Sequence, residues 1–149
     1  MAGTIVADTI RADSTSTLVL RNGVANTPPT IQDNAGTQIG TFCRAWVNFD
    51  GTNNVGGFCT IRGSFNVTTV ADNGTGDYTV NFTNALPDAN YSVVLTGNQT
   101  TAGNAVGGTL IYGTGTPATM LTTSVRVNSG NTSTGTLLDR GVISVAIFR

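Results

Sequence analysis

The sequence predicts an all-β protein: an antiparallel β-sandwich, jelly-roll-like, with an extended N-terminal arm. Three observations point there. The 149 residues contain no Lys, no Glu and no His, and Thr, Asn and Gly fill their places. Lys and Glu favour helices, Thr suits a pleated strand, and Gly and Asn make turns. From Thr37 onward apolar and polar residues alternate with period two, the pattern of half-buried strands. Turn-forming clusters recur roughly every 8–15 residues, as in a sandwich or jelly roll. No stretch holds a 3.6-residue period over about 11 positions, so almost no helix is expected.

The chain divides by character into residues 1–36 and 37–149. The first segment has few aromatics and scattered apolar residues, Ile5, Val6, Ile10, Leu18, Leu20 and Val24. Two short β-prone pieces, Thr4 to Ile10 and Thr17 to Arg21, cannot enclose a core alone. Pro28 and Pro29 exclude helix between them and the turn at Asp33-Asn34-Ala35-Gly36. This reads as an arm for anchoring and oligomerisation, with Ile5, Val6, Ile10, Leu18 and Leu20 packing on another chain; a floppy tail is the competing reading.

The second segment reads as the knob. In Thr41 to Phe49 the odd positions Cys43, Ala45, Val47 and Phe49 form the inner face. Asp50-Gly51-Thr52-Asn53-Asn54 reads as a hairpin loop. In Phe58 to Val67 the odd set Cys59, Ile61, Gly63, Phe65 and Val67 forms one face. Pairing these strands places Cys43 and Cys59 together inside, and Arg44 and Arg62 together outside beside Trp46. Two like charges there call for an acceptor from elsewhere, such as a neighbouring subunit. After a turn at 71–77 come Tyr78 to Thr83, then Asn90 to Thr96 with Tyr91, Val93 and Leu95 on one face. Leu110 to Tyr112, Leu121 to Val127 and Val142 to Phe148 complete at least seven strands, with a polar tip at Asn128 to Thr136.

Missing residues exclude chemistry. Without His there is no Ser-His-Asp or Cys-His system. Without Lys there is no Schiff base and no P-loop lysine. An Asp–Asp glycosidase pair is formally open, but Asp33, Asp50, Asp72, Asp77 and Asp88 sit at expected turns, where Asp bonds nearby backbone. The run from Asp72 to Asp77 resembles a calcium loop only loosely in spacing. Two Cys without His make a poor zinc site, and buried thiols are expected rather than a bridge. No enzyme activity, cofactor or metal is therefore expected. A net charge of −1 with scattered Arg argues against nucleic acid. No apolar run reaches the ~20 residues of a membrane helix, and the start lacks signal-peptide character. Synthesis in a cytoplasm follows as the expectation. Polar loops, with Asp50, Asn53, Asn54 and Tyr112 as surface contacts, suit a sugar as well as they suit solvent.

One run goes beyond composition. Arg44-Ala45-Trp46-Val47-Asn48-Phe49, Ile61-Arg62-Gly63-Ser64-Phe65-Asn66-Val67, Asp72 to Phe82 and Ala85-Leu86-Pro87-Asp88-Ala89-Asn90-Tyr91 follow one another in fixed order. Together they resemble the C-terminal domain of bacteriophage tail-fibre and tailspike proteins, especially of phages infecting cyanobacteria and marine bacteria. The resemblance covers roughly residues 29 to 95; the remainder matches only in style, and Val55 to Cys59 departs from the pattern. It implies a homotrimeric β-sandwich knob on the virion surface and no enzyme. The sequence shows no internal repeat at a fixed period, so a fibre shaft built from repeats is not expected. An arm extending at most about 120 Å then favours a capsid decoration (cement) protein that reinforces the shell beside the major capsid protein. The alternative is a tail-fibre or tailspike tip, docked on tail components, that binds a host surface glycan.

Overall fold

A computed structural model describes residues 31–98, 120–131 and 134–149. The arm residues Ile5, Val6, Ile10, Leu18 and Leu20, the strand expected at Leu110 to Tyr112, and Tyr112 itself lie outside the described residues.

Every element described is a β-strand, and every pairing is antiparallel. A small hairpin comes first, β1 (Ile31–Gln32) with β2 (Gln38–Gly40). Asp33 closes its turn by accepting the amides of Ala35 at 2.9 Å and Thr37 at 2.8 Å. The boundary expected between 36 and 37 falls inside this turn. Seven further strands form one sheet: β3 (Cys43–Val55), β4 (Phe58–Phe65), β5 (Val67–Gly74), β6 (Asp77–Phe82), β7 (Ser92–Gly97), β8 (Ser124–Asn128) and β9 (Ile143–Phe148). Their spatial order is β7-β9-β3-β4-β5-β6-β8.

That sheet curls into a sandwich-like, jelly-roll-like fold. One layer is β7-β9-β3-β4 and the other is β5-β6-β8. Between them β4 and β5 pair only at Phe58 and Ala71, so the sheet parts there. The chain turns this corner at Asn66, whose φ of 55° is left-handed, a conformation Asn tolerates better than most residues. The Asn66 amide donates to the carbonyls of Arg44 at 3.0 Å and Asn84 at 3.1 Å, and its oxygen accepts the Asn84 amide at 2.8 Å. Those bonds tie the corner to both layers.

The core lies between the layers. Ala45, Val47 and Phe49 of β3 and Ile143, Val145 and Ile147 of β9 are all buried. Facing them are Val70 of β5, Tyr78, Val80 and Phe82 of β6, and Val125 and Val127 of β8. Phe49 meets Tyr78 edge-to-face across the layers at 5.1 Å between ring centres. Period-two alternation thus placed Ala45, Val47 and Phe49 of β3 and Tyr78, Val80 and Phe82 of β6 correctly.

Two expectations fail for a common reason, irregular register. The loop expected at 50–54 belongs to β3, which runs on to Val55; the turn is Gly56-Gly57, with φ of 62° and 86°. Both central residues at positive φ give the geometry that matches strand twist in a two-residue hairpin. Phe65 faces out, not in. Pairing runs Asn48 with Gly63 but Phe49 with Ile61, so Arg62 is an extra residue on β4. The bulge changes the phase of the alternation. Cys59 and Ile61 keep the expected inner face, while Phe65 lands beside Trp46 outside. The polar tip expected from Asn128 is also partly packed: Ser129 and Asn131 are buried.

The sheet's two edges, β7 and β8, meet through side chains. At one end the Tyr91 hydroxyl is 3.0 Å from the carbonyls of both Leu121 and Ser124. At the other, Arg140 donates to the carbonyls of Asn98 at 2.7 Å and Gly130 at 2.9 Å. Arg140 is 1% exposed. Replacing Tyr91 with Phe removes one end, and a loss of about 1 kcal/mol is expected in urea unfolding. Arg140→Met leaves two carbonyls without their donor and is expected to cost more, about 2–4 kcal/mol. A larger loss from Tyr91→Phe than from Arg140→Met would contradict this ranking.

Candidate functional site

The outer face of the β7-β9-β3-β4 layer is the most distinctive surface described. Register aligns one residue from each strand: Val94 pairs with Ala146, Ala146 with Trp46, and Trp46 with Phe65. The row crosses four strands at right angles to the chain. Val94 is 52% exposed, Trp46 42% and Phe65 54%. The Trp46 indole lies across Gly63, where a Cβ would be 3.4 Å from the ring. Phe148, also half-exposed, extends the apolar surface at the end of β9.

A groove of about 260 Å³ runs along this row, lined by Trp46, Val47, Asn48, Val94, Thr96, Ser144, Val145 and Ala146. Its walls hold no charged residue. Asn48 donates to the Ser144 hydroxyl at 2.8 Å, so these two polar groups satisfy each other. With whole aromatic side chains burying ~150–250 Å², the row and Phe148 expose apolar surface on the order of 300 Å². A contiguous patch of that size equals the largest apolar patch of a typical monomer, which is often functional.

A second hollow of about 270 Å³ opens where Phe65 ends the row, lined by Arg44, Phe65, Asn66, Thr83 and Asn84. Its wall differs in kind: a cation and an aromatic ring stand among two amides and a hydroxyl. Burial lowers the Arg44 pKa from its ordinary value, and the nearby Arg149 guanidinium lowers it further. Arg149 is itself paired with Asp88, its Nε donating at 3.0 Å.

The surface contacts expected from sequence are differently employed. Asp50 accepts the amide of Thr52 at 3.0 Å and its hydroxyl at 2.6 Å, and pairs with Arg62 at 2.7 Å. Arg62 therefore has its acceptor within its own chain. Asn54 accepts the Gly57 amide at 2.9 Å and donates to Asp72 at 2.6 Å. Both residues shape the hairpin; of the three described, only Asn53 is left to solvent. Exposed aromatics at even positions of Thr41 to Phe49 were the signal for Trp46, whereas the bulge at Arg62 concealed Phe65.

Elsewhere the titratable groups support the fold. Cys43 and Cys59 are free thiols. Burial, reinforced by Asp72, Asp139 and Asp50, pushes the Cys59 thiol up to about 12, an unreactive state. Tyr91 is raised to about 12 by burial. Tyr78, buried, donates to Asp139 at 2.8 Å, and burial raises its pKa strongly. Hydrogen bonds from Arg126 hold Asp77 below the ordinary carboxylate range, and Asn73 adds to them. The Thr52 hydroxyl and amide do the same for Asp50. Among the described residues no group of three or more Cys or Asp is placed to hold a metal ion.

Comparison with known proteins returns nothing: no family model, no curated protein and no solved structure matches the chain.

A pH profile follows from these shifts. Asp77 and Asp50 have folded values below their unfolded ones, so their stabilisation is present above about pH 4 and is lost as pH falls through the folded values. Tyr91 and Cys59 have raised values. Their contribution is complete below their ordinary values of 10.0 and 9.0 and is lost as pH rises towards 12. With no His, no side-chain type present has its ordinary pKa between about 5 and 8. Urea midpoints are expected to be flat across that window and to fall on either side; a slope within it would contradict the assignment.

Proposed function

We propose that this chain is a structural protein of a bacteriophage virion: a homotrimer that decorates the capsid, reinforces the shell and presents its knob outward. The row Val94-Ala146-Trp46-Phe65 carries the assembly half of this reading. An uncharged apolar stripe four strands wide suits burial towards a threefold axis, where the same residues of three copies converge without charge repulsion. The interface of a stable pair covers about 800 Å² per partner, with an apolar centre and a polar rim. The stripe supplies the centre; Thr96, Ser144 and Asn48 supply rim groups. Ile31 and Ile39 of the first hairpin, 42% and 65% exposed, offer further apolar surface at the start of the knob.

The particle half rests on the resemblance of the run from Arg44 to Tyr91 to tail-fibre and tailspike knobs. The resemblance leaves both shell and tail open as the place of such a knob, and the shell is the reading taken first. The hollow beside Arg44 favours a second reading, a tip that touches a host glycan, and one knob on a capsid can do both.

Two experiments test the reading. Cryo-electron microscopy of the phage that carries the gene is expected to place knob density on the shell at sites of threefold or quasi-threefold contact; density confined to the tail would sink the decoration role. Sedimentation velocity on the purified chain is expected to give a trimer. Trp46→Asp, which sets a charge in the stripe, is expected to yield folded monomer by circular dichroism. A wild-type monomer at every concentration would remove the assembly claim.

A further inference from the structure

The first hairpin stands apart from the sheet. Every residue from Ile31 to Ile39 is exposed. Among the described residues β1 and β2 pack extensively only on each other. A two-stranded hairpin alone is at best marginally stable in water and needs a face to pack on. Its pairing runs Ile31 with Gly40 but Gln32 with Gln38, so Ile39 is an extra residue on β2. Such a bulge re-aims the side chain it carries. Ile31 lies over Gly40, where a Cβ would stand 3.2 Å from its Cδ1. The one charge between Ile31 and Phe42 is Asp33, and its carboxylate accepts two backbone amides of the turn. What the hairpin presents outward is therefore apolar: Ile31, Ile39 and, just beyond, Phe42.

Size and symmetry select what covers it. The stripe exposes apolar surface on the order of 300 Å², well short of the roughly 800 Å² that a stable interface takes from each partner. Stripe against stripe is too little. A ring of three also needs two unlike patches that fit head to tail, because a patch that fits its own copy closes pairs. Residues on the axis meet their own copies, but the contact between neighbours joins different surfaces. This chain carries two such surfaces, both apolar and both open: Ile39 is 65% exposed and Trp46 42%, so they do not cover each other within one copy. The turn at Gly56-Gly57 exposes Val55 and Phe58 as well. It already belongs to the sheet, however, and it lies beside Asp72 and the Asp50–Arg62 pair. Covering those charges with an apolar surface is costly.

We propose that the hairpin Ile31–Gly40 of each copy seats on the stripe of the next, and that three such contacts close the ring. Ile39 enters the groove beside Trp46 and Val94, whose walls carry no charge. This rests on the trimer of the proposed function and names what covers its stripe.

Sedimentation velocity and acrylamide quenching on the full chain test it. Ile39→Asp changes an exposed position, and circular dichroism checks that the chain still folds. It is expected to turn the trimer into monomer and to leave Trp46 open to quenching. Val55→Asp is expected to keep the trimer. A mixture of two variants is the sharper test. Ile39→Asp keeps its stripe and loses its hairpin contact. Trp46→Asp keeps its hairpin and carries no indole, since Trp46 is the sole tryptophan. Together they restore one contact but cannot close a ring. A one-to-one dimer is expected, with Trp46 of the Ile39→Asp copy shielded. A chain with both changes, added instead, is expected to shield nothing. The proposal is overturned by a trimer that survives Ile39→Asp, by loss of the trimer in Val55→Asp, or by quenching that the Trp46→Asp chain leaves unchanged. Each of these results leaves the trimer itself standing, whereas a wild-type monomer at every concentration removes both claims.

Discussion

The fold depends on joining β7 to β8. These strands lie at opposite ends of a seven-stranded sheet, and a sheet with two bare edges would expose rows of unpaired amides and carbonyls. Curling brings the edges together, but backbone pairing does not close the gap among the described residues. Side chains bridge it instead, Tyr91 at one end and Arg140 at the other. Arg140 is notable because it sits in the interior with no carboxylate in bonding range among the described residues. A guanidinium is weakly hydrated for a cation and carries five donors, so carbonyls can hold it where an ammonium would fail. Its Nε has no partner among the described residues. Arg rather than Lys at such a position agrees with a chain that has no Lys at all.

Closure in turn creates the outer face. With Val47 and Phe49 committed to the interior, alternation sends Arg44, Trp46 and Asn48 outward. On β9 and β7 the same rule turns out Ser144 and Ala146, and Val94 and Thr96. Three of these outward positions are apolar and fall in one row, and the bulge at Arg62 adds a fourth from β4. A β4 without that bulge would bury Phe65 and end the stripe at Trp46. The stripe and the corner hollow thus share one cause, a single inserted residue that reverses the side on which Phe65 lies.

Most of the fold was legible in the chain. Period two located the inner faces of Ala45 to Phe49, of Tyr78 to Phe82 and of Tyr91 to Leu95, because burial on one side of a pleat leaves that trace. Bulges leave none. Asp50 to Asn54 has the composition of a loop, yet its Asp and Asn bond within a strand, and Gly51 sits where Tyr78 and Ile143 crowd any Cβ. Long-range partners were equally hidden. Nothing local in Arg140 or Asn66 says that one spans the sheet edges and the other turns the corner. The outward Trp46 could be read from alternation, whereas the alignment of four strands into one stripe required the register.

Trp46 is the sole tryptophan, so its fluorescence reports on the stripe alone. Acrylamide quenching across a dilution series tests most directly whether copies of this chain bury that surface. Strong quenching is expected in dilute monomer, and shielding of Trp46 in step with assembly. Quenching that stays equally strong while the chain is oligomeric would mean that another surface joins the copies.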